Sequence, residues 1–395
     1  MNIIEEAKSL QPTLVEIRRK LHQNAEVGFD LPNTRKIVWE TLEEYGYAPR
    51  RVGKGSIIAT LGGGKKGDCI LLRADMDGLP IEEKTGKAYA CKRGNMHACG
   101  HDLHTTMLLG SAKLLKKHEG KLNAPVLFLF QCAEETLEGA KDVVESGVLQ
   151  EYKIKRAVMV HVLTATDLPT GKIVVASAGV SAPSADYFTI EIAGKACHGS
   201  SPQNGVDAIS VGARILLGLE TLSAREIPTT EPFVLTVGKM QAGVAGNAIA
   251  DKAILQGTLR AFDKEIQDFA KTRLQEIAKG IAKTFRAKAK ITFTSGCPTL
   301  QNDGGMSALI GDKLKKELGM DEVYFSADLG GNVKKSMGGS EDFAYIAEKV
   351  PSVMLALSAG EKKKGYVYPL HHPKADFDEN ALYRGVTAYT LSALI

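Results

Sequence analysis

No stretch of this chain approaches the roughly 18 consecutive apolar residues that a membrane-spanning helix needs, so no membrane partner is expected. Charge of one sign is never blocked together. Fifty Lys and Arg against forty-six Asp and Glu leave a net charge of +4, interspersed along the chain. Nothing in that pattern tracks a row of phosphates, and nucleic acid is excluded as an expected partner. The run Lys362-Lys363-Lys364 reads as a solvated loop. The opening MNIIEEAKSL is acidic where an export signal is basic, and no apolar segment follows it, which predicts a cytoplasmic protein. Internal repeats and low-complexity segments are absent. The six cysteines, Cys69, Cys91, Cys99, Cys132, Cys197 and Cys297, have no small secreted scaffold to staple. Most are expected to be reduced thiols filling core space.

What is present is a soluble, globular composition of 395 residues, 44% hydrophobic and 24% charged. That length exceeds one comfortable core and predicts two compact units. Ile3, Ala7, Leu10, Leu14, Ile17 and Leu21 recur in steps of four and three, which predicts one apolar stripe down an opening helix. SIIATL at 56–61, CILLRAD at 69–75, VLFLFQC at 126–132 and AVMVHV at 157–162 are near-continuously apolar, as strands covered on both faces are. Helical patterns such as 106–117 lie between them, so the first part is α/β, with its chemistry expected in loops beyond the carboxyl ends of the strands.

Near residue 180 the texture changes. In DYFTIEIAG, Phe188, Ile190 and Ile192 alternate with polar residues, and helix 205–222, strands 233–240 and 252–262, helix 264–285 and strand 289–294 follow. The order βαββαβ predicts a small inserted α+β domain over 183–296. It interrupts a catalytic domain made of 1–182 and 297–395.

HACGHDLHTT places Cys99 and His101 two residues apart, a spacing that sends both side chains to one side of an extended backbone. Alone, such a pair is more often core filler and a satisfied polar residue. The company it keeps changes that. Glu134 and Glu135 follow a central strand, where two adjacent carboxylates need cations or donors. His161 ends the next apolar strand, and His371 and His372 precede Pro373. A thiolate, several imidazoles and carboxylates form a mixed donor set for Zn, Mn, Co or Ni. So many ligands exceed what one tetrahedral ion needs and point to two. One glutamate of the pair binds metal and the other serves as general base; spacing leaves open which is which.

RADMDGLP at 73–80, MHACGHDLHTT at 96–106, CAEE at 132–135, VH at 160–161, GSEDFAYI at 339–346 and LHHPKADFDE at 370–379, six blocks in order, resemble the M20 metallopeptidase superfamily. The likeness is greatest to its amidohydrolase branch of hippurate hydrolases, aminoacylases, auxin-conjugate hydrolases and N-acetyl-diaminopimelate deacetylases. The resemblance implies a mixed-sheet dinuclear metallohydrolase domain with an inserted lid and dimerisation domain. It implies Cys99, His101, Glu135, His161 and His371 as metal ligands, with His371 preferred over His372, and Glu134 as base. Asp77 holds the place of the family's orienting acid. Peptidase branches carry His where Asp75 stands, which favours acyl-amino-acid hydrolysis over peptide trimming; for Asp75 itself a salt-bridge role and a functional one stand level.

In the inserted domain GKACHGSSPQNGVDAI, AGVAGNAIAD and GTLRAF resemble the branch's lid motifs. They imply His198 as a donor to the oxyanion in the partner subunit's site, with Asn247 and Arg260 binding substrate carbonyl and carboxylate. A homodimer through the inserted domain follows from a His198 that acts in trans; the sequence does not disclose whether such dimers pair into tetramers. The implied reaction is hydrolysis of a small N-acyl amino acid by metal-activated water, using two divalent ions. The rivals are a dipeptidase or aminopeptidase of the same superfamily, and a non-catalytic metal- or ligand-binding homologue. Val162-Leu163-Thr164, Pro202-Gln203-Asn204 and Ala248-Ile249-Ala250 depart from the branch's pattern near the substrate, so acyl preference does not carry over.

Overall fold

The computed structural model describes residues 2–63, 68–330 and 339–395. These divide into two compact units, one made of residues 2–63, 68–181, 301–330 and 342–395, the other of residues 182–300 and 339–341.

The first unit opens not on one helix but on two, α1 (Ile3–Ser9) and α2 (Gln11–Gln23). Pro12 has no N–H to bond back to Lys8, so the ladder breaks at Leu10 although the apolar stripe continues across it. Helix α3 (Pro32–Glu44) follows. The strands β1 (Arg50–Val52), β2 (Ser56–Leu61), β3 (Cys69–Asp75), β4 (Val126–Gln131), β5 (Ile154–Leu163) and β6 (Ile173–Val175) join Val323–Phe325 and Ser352–Ser358 in one mixed sheet of eight. Its order is β1-β2-β4-β3-β5, then Ser352–Ser358, β6 and Val323–Phe325. Every residue of β3 and β4 is buried, as their unbroken apolar runs require. Burial of Phe128 or Phe130 contributes about 1.5–3 kcal/mol relative to an exposed ring.

Four neighbours, β4, β3, β5 and Ser352–Ser358, run parallel, with Asp75 opposite Gln131 and His161 opposite Ala356. Their carboxyl ends therefore emerge side by side, where loops can assemble a site. Helix α4 (His101–Lys117) starts at this end and is buried along most of its length against α1, α2 and the closing helix Leu382–Ala393. It starts earlier than the apolar periodicity from Thr106 suggests, because its first turn carries polar residues turned toward the strand ends.

The second unit has a four-stranded antiparallel sheet in the order Phe233–Ala242, Lys252–Ala261, Ala185–Ala193, Lys288–Cys297. Helices Ala208–Thr221 and Lys264–Thr284 are capped by Asp207 and Asp263, whose carboxylates accept from the Ile209 and Ile266 N–H groups. Phe188, Ile190 and Ile192 meet Ile215, Leu219, Leu274 and Ala278 in its core. All six cysteines are free thiols, and all but Cys197 are buried. Among the described residues no helix is long and apolar enough to cross a membrane.

Candidate metal centre and active site

At the end of β3 the chain presents two buried aspartates with different partners. Asp75 accepts from Arg73 Nη1 at 2.7 Å and lies 2.6 Å from His104 Nδ1. Both its oxygens are thus engaged by buried cationic or donor groups. Asp77 turns the other way. Its Oδ1 accepts the Glu134 N–H and its Oδ2 the Glu135 N–H, each at 3.1 Å, while Oδ1 stands 3.5 Å from His101 Nδ1. One carboxylate thereby fixes the loop after β4 and faces the ring that begins α4.

The segment between Cys99 and His101 is not extended. Gly100 is left-handed, with φ of 85°, and a Cβ there would come within 2.4 Å of Val162 Cγ2. Only glycine meets both demands. The turn lets Cys99 end the loop while His101 enters the helix, so a reversal of the chain, rather than strand alternation, brings thiol and imidazole together. Arg18 from α2 holds the next residue, donating from Nε to Asp102 Oδ2 at 2.7 Å, and His22 Nδ1 lies 2.8 Å from the same oxygen.

Glu134 and Glu135 follow Ala133, which takes a φ of 57°, a strained conformation for a residue with a Cβ. The Ala133 N–H donates to the Gly28 carbonyl and the Leu137 N–H to the Glu134 carbonyl, closing a tight turn. Both side chains point inward. Glu134 Oε2 and Glu135 Oε1 each lie 3.8 Å from His101 Nε2. His161, in β5, has Nδ1 2.7 Å from the Val162 carbonyl. That contact requires a proton on Nδ1, so in the neutral ring the Nε2 lone pair faces Cys99 Sγ at 3.5 Å, the tautomer of a metal ligand. His371 brings Nε2 to 3.6 Å from Glu135 Oε2, with its backbone N–H on the Ala98 carbonyl. His372 stacks on Tyr368 instead, with ring centroids 4.5 Å apart, and its Nδ1 accepts the Lys374 N–H.

Among the described residues of the first unit four triplets offer ligand atoms within 4.8 Å of one another: Cys99 with His101 and His161, Cys99 with Glu135 and His371, His101 with Glu134 and Glu135, and Asp75 with His101 and His104. The first three overlap through Cys99, His101 and Glu135, an arrangement with room for two adjacent cations. Neither His101 nitrogen nor Glu135 Oε1 makes a hydrogen bond, and buried polar atoms without partners are costly. A cation between His101 Nε2 and Glu135 Oε1 would satisfy two of these atoms, while His101 Nδ1 faces Asp77 Oδ1 at 3.5 Å. The electrostatics agree. Burial pushes the Glu135 carboxyl up to about 8, with the Cys99 thiolate adding to it against the pull of His101 and His371. Burial alone would raise the Cys99 thiol, yet the His161 and His101 imidazoles hold it well below the usual thiol range. A thiolate beside a carboxyl that resists ionising lacks positive charge between them.

His198, Asn247 and Arg260 lie in the second unit. His198 pairs with Ala248 across a short antiparallel bridge, and the Gly199 N–H donates to the Asn247 carbonyl at 2.8 Å, so His198 and Asn247 are neighbours. Arg260 sits over the Tyr187 ring at 5.4 Å and donates to the Leu259 carbonyl. His104 is the residue that sequence reasoning passed over. Its signal was present: it stands three residues after His101, one helical turn along the same face.

Comparison with known proteins places these positions in context. Residues 71–394 match the model of Peptidase family M20/M25/M40. The N-acetyl-L-cysteine deacetylase of Bacillus subtilis is 34% identical over 378 residues, 95% of this chain and 86% of that protein. The hippurate hydrolase of Campylobacter jejuni is 31% identical, covering 100% of this chain and 99% of its own. A crystal structure of a Bacillus subtilis dinuclear metal binding peptidase from the M20 family, 31% identical, superposes with a TM-score of 0.78 over 98% of both chains.

Proposed function

The chain belongs to peptidase family M20/M25/M40, and from that premise we propose that it is a metal-dependent amidohydrolase that cuts N-acyl amino acids into a carboxylic acid and a free amino acid. The observation that carries this reading is the overlap of donor triplets around Cys99, with Glu134 beside them at the carboxyl ends of parallel strands. The deacetylase and hippurate hydrolase relatives supply the substrate class.

Cys99, His101, Glu135, His161 and His371 would hold two divalent ions, drawn from Mn, Zn, Co or Ni. Bound there, such ions supply Lewis acidity toward the acyl carbonyl and lower the pKa of water. Glu134, fixed through its backbone by Asp77, takes the proton of the attacking water and delivers it to the leaving amine. His198 acts as oxyanion donor from a second copy of the chain, across a homodimer formed through the second unit. Its local geometry suits that role. The Ser200 backbone N–H donates to His198 Nδ1 at 3.2 Å, so in the neutral ring the proton resides on Nε2, ready to donate. Arg260 presents a planar fork to the substrate carboxylate, and Asn247 an amide to its carbonyl.

The test is hydrolysis of N-acetyl, N-benzoyl and longer N-acyl amino acids, alongside free dipeptides, by metal-stripped protein reloaded with each metal. Metal-dependent release of amino acid from blocked substrates, lost in Glu134→Ala, is the expected result. Activity confined to free dipeptides would overturn it in favour of a dipeptidase. Bound metals with no hydrolysis at all would leave a binding protein.

A further inference from the structure

His104 lies one turn into α4, fully buried, and both its ring nitrogens are engaged. The Val162 backbone N–H donates to Nε2 at 2.8 Å. An amide N–H can only donate, so Nε2 carries a lone pair and the ring proton resides on Nδ1. There it donates to Asp75 Oδ1 at 2.6 Å. The other Asp75 oxygen accepts from Arg73, whose remaining nitrogens donate to Gln131 Oε1 and Asp342 Oδ1, each at 2.9 Å. A buried chain of charge-assisted bonds thus backs the His104 ring and fixes both its tautomer and its plane.

What His104 grips is the residue that orients His161. The Val162 carbonyl accepts the His161 Nδ1–H at 2.7 Å while its N–H is held by His104. The rings of His104 and His161 lie 4.6 Å apart, and the Val162 side chain fills the space left by the missing Cβ of Gly100. Val162 therefore joins the strand bearing His161 to the turn between Cys99 and His101.

We propose that His104, anchored by Asp75, is a positioning residue that pins Val162 and through it the rotamer and tautomer of His161. The inference rests on the metallohydrolase reading and deepens it. Asp75, in the place where peptidase branches carry histidine, acts on the metal centre at one remove, through His104.

The test uses His104→Asn, which keeps a donor near Nδ1 for Asp75 but no acceptor for Val162, and His104→Gln, which places an amide oxygen near Nε2. His104→Met fills the space without an acceptor and replaces the Asn variant should that one not fold. Metal-stripped wild type, these variants and His161→Ala are titrated with Co(II), following cobalt absorption bands and calorimetric affinity, with metal-free melting temperatures in parallel. The expected result is that His104→Asn weakens the same binding step as His161→Ala, by about 10–100-fold, the usual effect of losing such a supporting contact. Its cobalt spectrum shifts as well, and His104→Gln recovers most of the loss. Unaltered binding in His104→Asn would overturn the inference. So would equal losses in the Asn and Gln variants that merely follow their melting temperatures. A wild type that binds no cation would overturn the metallohydrolase reading itself, and this inference with it.

Discussion

Asp77 Oδ1 accepts the backbone N–H of Glu134 at 3.1 Å, so the proposed base is located through its main chain while its carboxylate stays within the cluster. Asp77→Asn turns one acceptor into an amide NH2 that faces a backbone N–H. Metal affinity and kcat should each fall by about 10–100-fold, as supporting contacts of this kind usually produce. Calorimetric titration and steady-state rates check it, and unchanged values would remove Asp77 from the positioning role.

Glu134→Ala or Glu134→Gln should leave two metals bound and lower kcat by at least about 10²–10⁴-fold, the usual contribution of a general base. Metal content by elemental analysis, measured on the same samples as the rate, separates loss of the base from loss of the site.

Loading metal-stripped protein at pH 7 should release protons. Burial holds Glu135 protonated up to about 8. His371 is raised by its contact with Cys99, and His101, against the effect of burial, by Asp75 and Cys99. Ligands must shed those protons to bind, so apparent affinity rises with pH through the Glu135 value of about 8. Calorimetry in buffers of different ionisation enthalpy reads the proton count directly; a heat independent of buffer would contradict the assignment.

Gly100→Ala places a Cβ at a φ of 85° and within 2.4 Å of Val162. Left-handed strain of about 1–2 kcal/mol and overpacking of about 1–3 kcal/mol together predict a loss of roughly 2–5 kcal/mol. Denaturant unfolding measures it, and a variant as stable as wild type would refute the close packing at this turn.

Cys99 should be the buried thiol that alkylates fastest in metal-stripped protein, because its imidazole neighbours favour the thiolate against the effect of burial. Burial pushes Cys69 and Cys132 up to about 12, and these should stay inert. Mass spectrometry after brief iodoacetamide treatment should show Cys99 protected once metal is added.

The alternation of apolar runs and helical stripes determined the mixed α/β unit, while the strand register was set by the fold, because continuously apolar strands carry no alternation to fix it. CILLRAD and VLFLFQC could be little else. The ligand types were equally legible, since a thiolate, imidazoles and paired carboxylates after strand ends have few other uses together. Other features belong to contacts between residues far apart in the chain. Local pattern read an extended Cys99-Gly100-His101, whereas the packing of Val162 against Gly100 demanded a left-handed turn. Sequence left Asp75 balanced between two roles, and that Arg73 and His104 sit on its two oxygens was set by the fold alone. His371 and His372 are chemically equivalent side by side, and family resemblance alone preferred the first; in the fold His372 stacks on Tyr368 while His371 approaches Glu135. Composition and periodicity record what each segment must bury; which buried polar atom meets which partner is decided only when the strand ends converge.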